Sequence, residues 1–268
     1  MADAAFLEKY GPWAVVTGGS EGVGEAWVDA LVEKGLGVII MARRENLLED
    51  KAQQVRGRGG QVRTLLADCR APDTIQRLKD LSSDIELGLL VHNVGGVGRK
   101  PVGYFDDPLE VVEGVIEINT LVPARLVYEF APAMKARGRG GIVIVGSLSG
   151  MAGQPTQAAY SAAKAFEQVF CEAMWSELKE FGVDVVSVPL GGTRTPGLSK
   201  SAMHGIDPET IPTAEQVVVE AIENIANGPV FVPTEANRKF FDKVTRLPRR
   251  DAAETMARLA YRSNAAGG

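Results

Sequence analysis

The chain has 268 residues, 45% of them hydrophobic and 24% charged, and a formal net charge of −5. That length suits one large domain, which buries roughly 75% of the surface its unfolded form exposes. The acidic balance argues against a general nucleic-acid role, two cysteines are too few for a disulfide framework or a zinc site, and no run reaches the ~18 apolar residues of a membrane span.

The first ten residues carry Asp3 and Glu8 and show no basic-then-apolar leader pattern, so a cytoplasmic protein is expected. Short apolar runs then alternate with longer helix-like stretches. Strands are predicted at Trp13–Thr17, Val38–Ala42, Val62–Ala67, Leu87–His92, Ile142–Gly146, Val183–Val188 and Val230–Val232. Helices are predicted near 23–34, 45–57, 72–81, 108–136, 157–181 and 213–226. Continuous apolar strands suit a sheet covered on both faces. The alternation implies right-handed crossovers and an α/β, doubly wound, seven-stranded, mostly parallel sheet with helices on both faces. Residues 1–234 read as one domain. Residues 235–268 read as a C-terminal helical appendage, broken at Pro248 and frayed from Ser263. Residues 238–262 hold eight basic and three acidic residues, a pattern that suits a solvated helix face, or contact with an anionic partner or membrane surface.

Ligands of such sheets bind beyond the carboxyl ends of the strands. The first strand runs into Thr17-Gly18-Gly19-Ser20-Glu21-Gly22-Val23-Gly24, and a helix follows. Glycines there turn the chain, let backbone approach a pyrophosphate and pack helix against sheet, while the helix N-terminus offers free N–H groups to phosphate. Placed after the first strand and before a helix, the turn is expected to bind a dinucleotide in a Rossmann-type fold, although its spacing is not G-x-G-x-x-G. Its spacing, T-G-x-x-x-G-x-G, resembles that of the short-chain dehydrogenase/reductase family.

The resemblance extends along the chain. The second strand ends in Met41-Ala42-Arg43-Arg44. Ala42 stands where NAD-specific members carry Asp, and the Arg43 guanidinium can grip a 2′-phosphate, so NADP(H) is favoured over NAD(H). The alternative is that Arg43 and Arg44 open a solvated helix beside Glu45 and Glu49, and Glu21 is a counter-signal. Asp68 matches the family's adenine-binding Asp, with the Cys69 backbone adjacent. His92-Asn93-Val94-Gly95 resembles the family's N-N-A-G segment but departs at His92 and Val94. Asn93 is then expected at the cofactor floor, and His92 reads as a packed histidine.

Tyr160 and Lys164, at i and i+4, share one helix face. A nearby ammonium favours phenolate, and Lys164 can also hydrogen-bond a nicotinamide ribose. Ser147, 13 positions before Tyr160, aligns with the family's catalytic serine, with Ser149 as rival. Asn119 matches the Asn that holds a water next to the active-site Lys; the alternative is a hydrogen bond within its own helix. Together these residues imply an acid–base set of Asn119, Ser147, Tyr160 and Lys164. After the sixth strand the family shows P-G and then Thr, whereas Pro189-Leu190-Gly191-Gly192-Thr193-Arg194-Thr195 departs from it: either Leu190 replaces the Pro or one residue is inserted. Gly191, Thr193 and Thr195 remain candidates for cofactor contact.

The implied activity is NADP(H)-dependent interconversion of a secondary alcohol and a ketone. A lid is expected at about 193–210, where Leu198 and Met203 join Leu148, Ser149, Met151 and Leu190 as apolar and polar lining for a hydrophobic small molecule. The competing expectations are a catalytically silent NADP-binding regulator and a sugar-nucleotide epimerase or dehydratase. No metal, nucleic acid or integral membrane span is expected. The Asn119 and Tyr160 helices resemble those that join subunits in the family, which implies a homo-oligomer, dimer or tetramer.

Overall fold

The structure, a computed structural model, describes residues 3–96, 103–196, 198 and 208–265. It opens with a short helix, α1 (Ala4–Tyr10), capped by the Asp3 carboxylate accepting from the Phe6 N–H at 3.1 Å. Next come β1 (Trp13–Thr17), α2 (Gly22–Glu33), β2 (Gly37–Ala42), α3 (Glu45–Gly57), β3 (Val62–Leu66), α4 (Thr74–Leu81) and β4 (Leu87–His92). The second half comprises α5 (Leu109–Asn119), α6 (Leu121–Arg137), β5 (Gly140–Ser147), α7 (Ala158–Leu178), β6 (Val183–Leu190), α8 (Ala214–Ile222), α9 (Glu235–Thr245) and α10 (Arg249–Ala265).

The described strands form one parallel sheet in the order β3-β2-β1-β4-β5-β6. Strand residues alternate between two cores, as the two-residue period of a strand requires. Val16, Val38, Ile40, Val91 and Val143 pack with Trp27 and Leu31 of α2 and Val217 of α8. Val15, Ile39, Met41, Leu90 and Ile142 pack with Leu78 of α4, Leu126 and Met134 of α6 and Cys171 of α7. Each large side chain buried there contributes about 1.5–3 kcal/mol, which locks the register that brings the strand ends together. The order reverses direction between β1 and β4, and a crevice opens at that point.

Two expectations need correction. Among the described residues the sheet has six strands, not seven: Val230 makes only an isolated parallel bridge to Ser187. Pro229 and Pro233 bracket this segment, and a proline has no N–H to continue a ladder. The single helix expected over 108–136 is two helices, α5 and α6, meeting at Thr120. Pro123 is the cause, because its ring collides with the carbonyl four residues back, at Asn119. The break leaves Asn119 at a helix end.

The C-terminal segment packs back on the body. Val244, Ala252 and Met256 bury themselves against Leu148, Met151 and Ala152, and the Arg249 guanidinium donates to the Met151 carbonyl at 2.8 Å. The α10 backbone stays helical through Ala265, beyond the point where the sequence predicts fraying. Among the described residues no helix is long and apolar enough to cross a membrane, and no His/Cys/Asp/Glu cluster suits a metal ion.

Candidate active site

Two cavities meet the carboxyl ends of the strands. The first, of about 710 Å³, runs over the β1–α2 turn and the ends of β2, β3 and β4. Gly18 and Gly22 adopt positive φ there, +67° and +58°. Gly24 lies just behind the turn, where an added Cβ would stand 2.0 Å from the Gly18 carbonyl oxygen, so no side chain fits. Glu21 heads α2 without a side-chain cap, leaving first-turn N–H groups free to face an anion. Ser20, Glu21, Val23, Arg43, Arg44, Asp68 and Cys69 all line this crevice, with Asn93, Val94, Gly95 and Thr195 further along. Wide backbone approach, unused N–H donors and exposed guanidinium groups fit a dinucleotide.

The charged rim is internally paired. Arg44 meets Glu21, Arg43 lies 3.8 Å from Asp68, and Arg70 grips Asp68 at 2.8 and 3.2 Å. The Arg70 guanidinium, chiefly, holds the Asp68 carboxyl down at about 2 despite partial burial. Burial pushes the neighbouring Cys69 thiol up to about 12, so it is no nucleophile.

A polar seam joins the ends of β1 and β4. Register places Thr17 opposite His92. The Thr17 hydroxyl accepts from the Asn93 and Val94 N–H groups at 3.0 and 3.2 Å and lies 3.1 Å from His92 Nδ1. With two donors already on its oxygen, Thr17 donates to Nδ1, which assigns the ring proton to Nε2. His92 is buried, and burial followed by the nearby Lys164 charge pulls it down to about 3, so it stays neutral. Asn93 Nδ2 donates to the Gly18 carbonyl at 3.3 Å. Asn119, fully buried, donates to the carbonyls of Val115 at 2.7 Å and Gly96 at 3.1 Å. It thus makes the within-helix bond and also clamps the loop after β4. An added Cβ at Gly95 would lie 2.6 Å from Asn119 Oδ1 and 3.0 Å from Lys164 Nζ, so that glycine separates the two.

The second cavity, of about 500 Å³, holds Ser147 from the end of β5 and Tyr160 from the first turn of α7. The Ser147 hydroxyl oxygen accepts from the Ser149 N–H at 3.1 Å, which fixes its direction, and Ser149 shares the wall. One turn below Tyr160, the Lys164 ammonium sits 5.7 Å from the phenol ring centre. It is buried, donating to Glu167 Oε1 and Oε2 at 2.8 and 2.9 Å and to the Val145 carbonyl at 3.2 Å.

The wall of this cavity includes Leu148, Leu190, Gly191 and Gly192, and from the C-terminal helices Asn237, Phe240, Met256 and Leu259. Those last four were not in the expected lining, nor was Glu167 in the expected site. Their signal was weak: a Phe-Phe pair and a Met–Leu spacing inside a basic helical stretch, and a Glu three positions beyond the Lys. Other expected residues sit elsewhere. Met151 is buried under α9 and α10, in one cluster with Val244 and Met256, and does not line either cavity. Thr193 is buried and donates to the Gly191 carbonyl at 3.2 Å, and Gly191 faces the second cavity, not the first. Leu198 is half-buried, its N–H bonded to the Thr195 carbonyl at 3.1 Å, and lines neither cavity. Met203, with most of the expected lid, lies outside the described residues.

Comparison with known proteins agrees with this architecture. The short chain dehydrogenase family profile matches residues 12–204. A 7beta-hydroxysteroid dehydrogenase of Mediterraneibacter gnavus is 28% identical over 241 residues, covering 86% of this chain and 89% of that protein. A solved 7beta-hydroxysteroid dehydrogenase superposes with a TM-score of 0.85 at 25% identity, over 94% of this chain and 98% of the other. A short-chain dehydrogenase from Sphingobium yanoikuyae, in complex with NADPH, gives 0.76 at 26% identity, over 87% and 92%. The glycine turn over an open crevice, the Tyr and Lys one turn apart beside it, and a match spanning most of the sheet have one reading: the chain belongs to the short-chain dehydrogenase/reductase family and is an alcohol/ketone oxidoreductase.

Proposed function

We propose that this protein is an NADP(H)-dependent oxidoreductase that interconverts a hydrophobic secondary alcohol and its ketone. The observation that carries the reading is the shared wall: Ser147 and Tyr160 face one cavity, Lys164 lies a turn beneath the phenol, and the glycine-rich crevice begins on the far side of Gly95. Bound in that crevice, a nicotinamide dinucleotide supplies or accepts the hydride.

The chain's own residues do the rest. The first-turn N–H groups of α2 hold a pyrophosphate. Arg43, two-thirds exposed at the rim, reaches a 2′-phosphate, and the small Ala42 beside it offers no repelling carboxylate. Asp68 and the Cys69 backbone flank the adenine. Ser147 orients the substrate oxygen by hydrogen bonding, and Tyr160 gives a proton to that oxygen in reduction or takes one in oxidation. Lys164 stands beneath the phenol, its ammonium 5.7 Å from the ring centre. Asn119, through its clamp on the loop after β4, keeps Gly95 and Lys164 in register.

For substrate class, the cavity mixes the apolar Leu148, Leu190, Phe240, Met256 and Leu259 with the polar Gln154, Gln157 and Asn237. The Asn237 amide nitrogen is buried, with no hydrogen-bond partner among the described residues. An apolar wall with amide side chains among its lining suits a rigid polycyclic alcohol carrying a second oxygen, a description that includes hydroxysteroids, after which the two 7beta-hydroxysteroid dehydrogenases above are named. A homo-oligomer fits the apolar side chains left exposed on α5, α6 and α7, among them Ile116, Tyr128 and Val169. Two buried, unpaired cysteines fit a reducing compartment such as the cytoplasm.

A panel of polycyclic and simple alcohols and ketones, followed by nicotinamide absorbance with NADP(H) and NAD(H), tests the reading. The expected result is turnover of polycyclic substrates with higher kcat/KM for NADP(H). Binding of dinucleotide without turnover of any alcohol would replace it with the silent regulator.

A further inference from the structure

Glu167 has no part in the chemistry described so far, yet it is the most enclosed carboxylate in the molecule's working half. Its side chain is 0% exposed, and Lys164, its partner, is 4% exposed. The carboxylate takes the ammonium with both oxygens, at 2.8 and 2.9 Å, and the third contact, to the Val145 carbonyl at 3.2 Å, completes the ammonium's set of donors. The same ammonium lies 5.7 Å from the Tyr160 ring centre and is the one that must reach a ribose hydroxyl. We propose that Glu167 is a positioning residue for the dehydrogenase reaction: it tethers Lys164 against β5, offsets the charge that Tyr160 feels, and gives up the ammonium when the ribose of a dinucleotide competes for its N–H donors. This inference rests on the oxidoreductase reading above.

The surroundings leave few rivals for the role. On its own helix Glu167 shares the field of Lys164 and lies one turn from Cys171, whose thiol is raised by burial and then by Glu167. From β4, His92 is near enough to feel Lys164 but stays neutral. From α5 the buried polar group is the neutral Asn119. β5 offers the Val145 carbonyl, and β5 and β6 otherwise present Ile142, Ile144, Val183 and Val185 to the core on this side. Burial raises the Glu167 carboxyl to about 7, with Lys164 opposing. Burial alone would lower the Lys164 ammonium, and the Glu167 carboxylate, followed by Tyr160, reverses this to a net upward shift. A carboxyl poised near neutrality can take a proton from solvent as its ammonium partner is drawn away.

Two measurements test the proposal. Positions seven apart on a helix are separated by about 10 Å, and a unit charge at that distance acts on a titrating group by about one pH unit at an effective dielectric of ~20. Glu167→Gln keeps an amide oxygen within reach of Nζ and removes the negative charge. The ascending limb of the kcat/KM profile for alcohol oxidation, along which Tyr160 loses its proton to act as base, should therefore move to lower pH by about one unit, while Glu167→Asp, which restores the charge, should return the limb toward the native position. A limb that stays in place in Glu167→Gln, or moves to higher pH, overturns the proposal. The second measurement uses the native protein and no turnover. Calorimetric titration with NADP+ and with NAD+, in buffers of different ionisation enthalpy, should show proton uptake from solvent that peaks near pH 7 and vanishes in Lys164→Met. Binding without proton uptake, or uptake that persists in Lys164→Met, overturns it. The calorimetry decides the matter if Glu167→Gln does not fold. It also separates the two ideas: a protein that takes up the proton yet oxidises no alcohol defeats the oxidoreductase reading and leaves the tether standing.

Discussion

The two cavities are built on opposite plans. The dinucleotide crevice is made of turns that follow β1 to β4, and its polar groups are half-exposed: Arg43 and Arg44 are 65% and 55% exposed, and Asp68 is 32%. The substrate cavity is assembled from distant segments, β5, the head of α7, the end of β6 and the C-terminal helices, and its charged pair is sealed. The contrast is sharpest in two lysines. Lys51 is 2% exposed, but its partners Glu25 and Asp29 are 39% and 33% exposed, so water shares the counter-charge. Lys164 has a partner with no exposure at all. An ion pair with one wet member can be read as packing of α2 on α3. A dry pair carries a desolvation penalty of several kcal/mol per ion that only close geometry offsets, and such a pair next to a reacting group is suited to tune it. The crevice therefore binds through exposed, replaceable contacts, and the substrate side acts through enclosed ones.

Substitutions can break the two halves separately. The largest effect belongs to Tyr160→Phe, which removes the proton donor and should lower kcat by about 10²–10⁴-fold with dinucleotide affinity, measured by fluorescence titration, unchanged. Arg43→Ala acts on the other half alone. Loss of a charged hydrogen bond costs about 1.5–3 kcal/mol, so the Kd for NADP(H) should rise by about 10–100-fold while that for NAD(H) holds steady. Equal weakening of both cofactors would remove Arg43 from any role in choosing between them. Phe240→Ala, in α9, should raise KM for a polycyclic alcohol by about tenfold, as half the worth of a fully buried aromatic face, and leave both dinucleotide constants alone. An unchanged KM would mean that the C-terminal helices cover the cavity without touching substrate.

The same contrast explains what the sequence disclosed. The crevice is local in the chain: Thr17 to Gly24 is one turn, and its glycines are forced by positive φ or by a carbonyl 2.0 Å from a would-be Cβ. Such constraints leave a mark at fixed spacing. Tyr160 and Lys164 are local too, one helical turn apart. The layout of the sheet was legible because both faces are buried and each strand is an apolar run. The seventh strand was misread because periodicity says nothing of the ladder donors that Pro229 and Pro233 lack. The long helix was misread because Pro123 acts at Asn119, four residues back. Phe240, Met256 and Leu259 reach the cavity only through the tertiary docking of α9 and α10 on Leu148 and Met151, and no short-range pattern encodes that. Glu167 is not legible because a Glu three residues from a Lys on a helix is ordinarily a solvated pair.

The seam between the halves gives the smallest effect, and its sign has to be worked out against a competitor. His92 is held neutral, down at about 3 through burial and then the Lys164 charge, whereas an unfolded histidine titrates near 6.5. Between those values the unfolded chain binds the extra proton, so His92 makes the fold less stable as pH falls below about 6.5. Glu167 works the other way. Its carboxyl sits at about 7 in the fold against 4.5 for an ordinary one, so the folded chain binds the extra proton and stability is lost as pH rises toward 7. The two slopes oppose each other between pH 4.5 and 6.5, and the native protein should show a nearly flat stability there. Replacing His92 by Asn removes one slope and exposes the other. Denaturant titrations should show the variant gaining about 0.7 kcal/mol relative to native on going from pH 7 to pH 6. Asp68 and Asp84, both held at about 2, chiefly by Arg70 and Arg63, destabilise only as pH falls below about 4 and do not enter this window. A constant difference between variant and native across these pH values would mean that His92 takes up its proton in the fold as readily as in the unfolded chain, and a relative loss by the variant would mean that His92 is charged in the fold; either outcome removes the neutral, buried imidazole from the account.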